Sequence, residues 1–113
     1  MKKPIINLKG THIHTNAAGL RALDGVSYAQ VLIAPSKKLL VVMPCHPEAR
    51  HAVRLRSAGK YPNRPKHVRC DDLIAKIARM MDWQGDCVRA VQGEVAVIEG
   101  EAIIVFNLES ANG

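Results

Sequence analysis

The chain has 113 residues, of which 48% are hydrophobic and 23% charged, a balance that fits one globular domain around a single apolar core and excludes a chain disordered throughout. Aromatic residues make up only 4% (Trp83, Tyr28, Tyr61 and Phe106), so Val, Ile, Leu and Met must build the core, and stacking of bases on aromatic platforms is disfavoured. The formal charge of +6 is uneven: six Lys/Arg face two acids in residues 1–49, seven face none in residues 50–69, and three face eight in residues 71–113. Such a field draws polyanions to the middle of the chain and repels them from its last third.

In chain order, the opening "MKKPIINLKGTHIH" is interrupted by Lys9, His12 and His14 too early for a signal peptide, and no later stretch approaches the ~18 apolar residues of a membrane span. "GTHIHTN" alternates as a strand does. "NAAGLRALDG" follows as a short helix, with Asn16 as N-cap, Gly25 as its stop and Gly19 weakening its interior. Tyr28 to Ala34 and Leu39 to Met43 are apolar, β-branched runs separated by "PSKK", which predicts a β-hairpin. Downstream, "PKHVRC" reads as a short strand. "DDLIAKIARMMDW" reads as an amphipathic helix capped by Asp71 or Asp72, with Leu73, Ile74, Ile77 and Met81 on one face. Two further strands flank Glu99-Gly100-Glu101, and Gly93 marks a bulge or bend in the longer one.

The expected fold is therefore α+β, a single domain over residues 1–113. Two β-α-β-β units, residues 10–45 and 66–109, are joined by a basic connector, residues 46–65. Each unit is too small to bury both faces of its sheet, so the two are expected to form one small barrel or one continuous sheet, and a homodimer would extend either.

The first unit, with Gly10 leading a strand, Leu23 and Gly25 closing a helix, and strands around Val31 to Ile33 and Leu40 to Val42, resembles the swapped-hairpin DNA-binding domain of the AbrB, SpoVT and MraZ regulators. Thr15 stands where that family has proline, and one inserted residue is needed to bring Leu20-Arg21 into register. The resemblance implies DNA binding and transcription regulation, and MraZ-like members carry two such units. The chain is also similar to small proteins of Gram-positive mobile elements, through "VLI-P--K-L-V-PC" and "MDWQGD…V-GEV…GEAIIVFNLE". That likeness brings context and no mechanism.

The candidate site is the basic connector, through Arg50, Arg54, Arg56, Lys60, Arg64 and Lys66. Cations here would neutralise phosphates and release counterions, most simply on duplex DNA. Seven cations without an acid exceed what solubility needs, since soluble surfaces mix both signs. An acidic protein partner is the alternative. A weaker alternative is a hydrolase or metal site around Cys45, His46, His12 and His14. The spacing is not that of a zinc site, and adjacent residues on an extended chain point to opposite faces. No catalytic residue, metal or cofactor is expected. The three cysteines, without CxxC spacing, suggest reduced thiols in the cytoplasm.

Overall fold

Ile6 and Leu8 are wholly buried while Ile5 and Asn7 between them are half-exposed, and this period of two makes the first strand, β1 (Ile5–Lys9). A computed structural model describes residues 3–23, 28–54, 67–83 and 88–110. Gly10, with φ +61°, turns β1 back into β2 (His12–Thr15). After β2 come helix α1 (Ala17–Ala22), strands β3 (Tyr28–Ala34) and β4 (Leu39–Pro44), and the two-residue strand β5 (Val53–Arg54). The chain continues with β6 (His67–Arg69), α2 (Asp71–Met81), β7 (Val88–Ile98) and β8 (Glu101–Asn107).

The strands form one antiparallel, eight-stranded sheet in the order β5-β3-β4-β8-β7-β1-β2-β6, so the α+β class holds and the sheet curls into a nearly closed barrel. Its inner face packs Ile6, Leu8, Leu40, Val42, Ile104 and Phe106 against Leu20 and Leu23 and against Ile74 and Ile77 of α2. Met80, Met81 and Trp83 join that core from the C-terminal end of α2, as a helix-end apolar cluster should.

The other two hairpin turns also use left-handed residues. The β3–β4 connection is a 3₁₀ turn, Pro35–Lys37, closed by Lys38 at φ 54°. Glu99 and Gly100, at φ 52° and 82°, make the two-residue turn between β7 and β8, and positive φ at both central positions matches the twist of the strands.

Helix starts differ from expectation at one of the two sites. The Asn16 side chain accepts a hydrogen bond from the Gly19 N–H (2.9 Å), as an N-cap should, and also accepts from the Ile5 N–H (2.9 Å), tying β1 to α1. α2 starts from Cys70 without a side-chain cap. Asp71 and Asp72 sit in its first turn, where they complement the dipole, and Asp71 is engaged by Arg69 instead. α1 ends at Leu23, so the proposed stop at Gly25 falls outside the described residues.

Sequence reasoning passed over two strands. β1 lies ahead of the first expected unit, and β5 lies inside the expected connector, where it pairs with Tyr28 and Ala29.

Gly93 is the corner of the sheet. Residues before it on β7 pair with β1, from Val88 to Gln92, and residues from Gly93 onward pair with β8. The ring of Phe106, its cross-strand neighbour, lies where a Cβ would be: such an atom would sit 2.7 Å from Phe106 Cε1 and 2.7 Å from Ile104 Cγ2. Gly19 is likewise a close-approach residue, since a Cβ there would press on Thr15 Cγ2.

Gly93→Ala is therefore expected to lower unfolding stability by about 1–3 kcal/mol in urea titrations, the usual cost of overpacking. Gly19→Ala, which helix propensity alone would favour by about 1 kcal/mol, is expected to destabilise as well.

Candidate nucleic-acid interface

Among the described residues, the two end strands of the sheet, β5 and β6, do not pair. A groove of about 1040 Å³ opens there. One wall is β3 with the turns leading to β5; the other is the end of β6 and the exposed side of α2. Its lining is apolar at Val31, Ile33, Val53, Leu73 and Met80, and charged at Arg50, Arg69, Asp71, Asp72 and Lys76.

Two successive turns, Ala49 N–H to His46 O (3.0 Å) and Ala52 N–H to Ala49 O (3.1 Å), carry the chain from β4 to β5. They place Arg50 on the rim, exposed, with its carbonyl accepting a hydrogen bond from Gln30 Nε2 at 2.8 Å. His51 follows at φ 62°, a left-handed conformation uncommon outside glycine. Arg54 lies in register with Tyr28, its guanidinium 5.8 Å from the ring centroid, so it covers apolar surface as well as carrying charge. Of the expected phosphate contacts, Arg50 and Arg54 are thus both at or beside β5. Arg56, Lys60, Arg64 and Lys66 lie outside the described residues.

Four charged residues of the groove, Arg69, Asp71, Asp72 and Lys76, were not among the expected site residues. Arg69 forms a two-pronged pair with Asp71, Nε to Oδ1 at 3.0 Å and Nη2 to Oδ2 at 3.1 Å. That hydrogen bond holds the Asp71 carboxyl below the usual carboxylate range and raises the Arg69 guanidinium. Both groups are solvent-facing, so the pair orients Arg69 more than it stabilises the fold. Lys76 projects from α2 one helical turn beyond Asp72, and its charge is exposed. The net field is mixed on the α2 wall and cationic on the β5 wall. The sequence signal for Arg69 was present, since it ends the acid-free run, but nothing local indicated that α2 would fold back beside β3.

The chemistry expected of the weaker alternative is not assembled here. Among the described residues no group of three His, Cys, Asp or Glu side chains is placed to hold a metal ion. His12 and His14 do share a face of β2, on either side of buried Ile13, and His12 Nδ1 lies 2.8 Å from Thr11 Oγ1. Cys45 is half-buried at the end of β4 beside exposed His46, and no hydrogen bond joins them among the described contacts. Burial pushes the Cys45 thiol up. The Cys70 thiol, facing the groove, is pushed up by burial and then by the charge of Asp71. Neither is an activated thiolate at neutral pH.

No described helix is long and apolar enough to cross a membrane. No protein-family model, no curated protein and no solved structure matches the chain.

Alkylation of Cys70 by iodoacetamide, followed by peptide mass mapping against pH, should stay slow at neutral pH and rise only above the ordinary thiol range. Asp71→Asn, which removes the second cause of the shift, should move that rise to lower pH; an unchanged profile would show that Asp71 does not act on the thiol.

Proposed function

We propose that the protein is a non-catalytic nucleic-acid-binding regulator or accessory factor that grips phosphates through the basic run beginning at Arg50. The observation that carries this reading is the placement of that run. Its twenty residues hold seven cations and no acid, and the strands at its two ends, β5 and β6, are the two margins of one groove. Arg50 lines the β5 side of the groove, whereas Asp71 and Asp72 on the α2 wall would repel phosphate. Nucleic acid would therefore lie along the β5 side. Contacts of this kind position a backbone without reading bases, and duplex DNA is the proposed ligand.

The resemblance to swapped-hairpin regulators supports the same reading, and so does a duplicated origin for the two halves. What favours duplication is the strand order: exchanging β1 with β5, β2 with β6, β3 with β7 and β4 with β8 leaves every strand with the same neighbours, the open β5–β6 margin aside. The registers follow suit, since Ile5 opposite Gln92 and Ile6 opposite Val91 correspond to Val53 opposite Ala29 and Arg54 opposite Tyr28. A cytoplasmic regulator of a mobile element is the setting we propose.

A second reading is favoured by one feature of the groove. From Gln30 to Ala34, β3 has β4 on one side and no described strand on the other, above an apolar floor. A bare strand edge beside apolar pockets suits an extended acidic peptide.

Fluorescence anisotropy with duplex DNA across a salt series tests the first reading. Wild type should bind at low salt and weaken steeply as salt rises. Arg50→Ala, Arg56→Ala and Lys60→Ala combined, which spare the packing of Arg54 on Tyr28, should flatten the log–log slope by roughly 3 units. Absence of binding at low salt would sink the DNA reading and favour the peptide.

A further inference from the structure

Among the described residues, most large apolar side chains of the sheet are covered, but four are exposed: Leu32, Val95, Val97 and Ile98. Three of these are on one five-residue stretch, the outer half of β7. Val95 is 48% exposed, Val97 70% and Ile98 54%. Among the described residues, the same stretch also has an open backbone edge. β8 pairs with Gly93 to Ile98 on one side, and β1 covers the other side only from Val88 to Gln92. The edge opens just past Gly93, whose N–H donates to the Pro4 carbonyl at 2.8 Å. Because backbone groups alternate along a strand, that bond also fixes which residues face outward: Val95 and Val97 present their N–H and C=O groups to the open edge, while Glu94, Ala96 and Ile98 bond toward β8. A long, apolar, unpaired edge is a template for another strand, and charged or proline residues usually blunt it. Here none does between Val95 and Ile98.

We propose that this edge is the docking surface for a second copy of the chain, with the outer half of β7 pairing antiparallel to itself across a two-fold axis. Self-complementarity identifies the occupant. With the axis at Ala96, Val95 faces the partner's Val97 and Val97 faces the partner's Val95. Both are outward-bonding positions, so about four backbone hydrogen bonds close between the copies. The smallest side chain of the stretch sits at the axis. Glu94 falls opposite the partner's Ile98, so no acid meets an acid along the paired stretch.

Charge fixes the ends of the pairing. In this register the turn residue Glu99 arrives opposite the partner's Gly93, where Pro4 and Lys3 end the open edge. Lys3 is exposed there, its Nζ 3.4 Å from Glu94 Oε1, and would take a second carboxylate from Glu99. The contact occurs twice by symmetry. An acidic peptide strand would lack the valines that fill this face, and nucleic acid would be repelled by Glu94, Glu99 and Glu101. The interface is small, so association in the micromolar range is expected. This inference does not depend on what the groove binds.

Sedimentation equilibrium from low to high micromolar concentration tests it. Wild type should pass from monomer to dimer. Val97→Lys, an exposed position whose change should leave the thermal melting temperature unaltered, should weaken association by roughly tenfold or more. Lys3→Glu and Glu99→Lys should each weaken it, and the double variant should recover affinity. A wild type that stays monomeric throughout, or a Val97→Lys protein that dimerises as well as wild type, overturns the proposal. A double variant no better than the singles overturns the register with its axis at Ala96.

Discussion

The architecture turns on the missing side chain at Gly93. Phe106 fills the space that a Cβ would need, and the two residues lie directly across from one another on β7 and β8. With that contact, β7 can bend out of one strand partnership into another and belong to both. The bend brings the β1–β2–β6 layer round to face the β3–β4–β8 layer. Ile6, Leu8 and Ile13 then meet Leu40, Val42 and Ile104 in one core, and the aromatic ring lies within it. A flat sheet of these strands would leave one apolar face in water. The same bend sends the far half of β7 beyond the reach of β1, so one glycine accounts for both the closed core and the open edge.

Local patterns made much of this visible in the sequence. The β3–β4 hairpin was legible because branched apolar residues run unbroken up to Pro35 and resume at Leu39. α2 was legible because Ile74 and Ile77 recur at helical spacing, and both are buried. Asn16 was legible as a cap because its chemistry acts within three residues. What escaped is set by distant partners. β1 acquires its place from β7, more than eighty residues on, and β5 is a strand only because Tyr28 and Ala29 are beside it. Asp71 was expected to cap its helix on local grounds, but Arg69 competes for the carboxylate. The groove was illegible for the same reason. Its cations could be counted, yet its walls come from β3 and α2, which meet only in the folded chain.

Charge and fold are arranged consistently. The basic run attaches at the margin where the sheet stays open, while four of the eight acids of the last third lie on the β7–β8 hairpin and just after it, at Glu94, Glu99, Glu101 and Glu109. Along the sheet, β4 and β8 stand between β3, which lines the groove, and β7, which carries the acidic edge. A polyanion bound at one place would thus be several strands from these four carboxylates and meet only Asp71 and Asp72 on the far wall, and self-association at the other would leave the groove uncovered.

The order of pairing has a further consequence for how the chain comes off the ribosome. The seams β1·β7, β4·β8 and β2·β6 all join the first half to the second, so a nascent chain that has released only Ile5 to Arg54 has nothing to lay against β4 beyond β3 and nothing to flank β1 beyond β2. Its local hairpins can form, but Leu40 and Val42 await Phe106 and Ile104. Completion waits for β8 to emerge, which makes folding late and cooperative, and leaves apolar strand edges bare in the interim. Cellular chaperones that hold extended apolar segments would meet this protein during synthesis rather than after it.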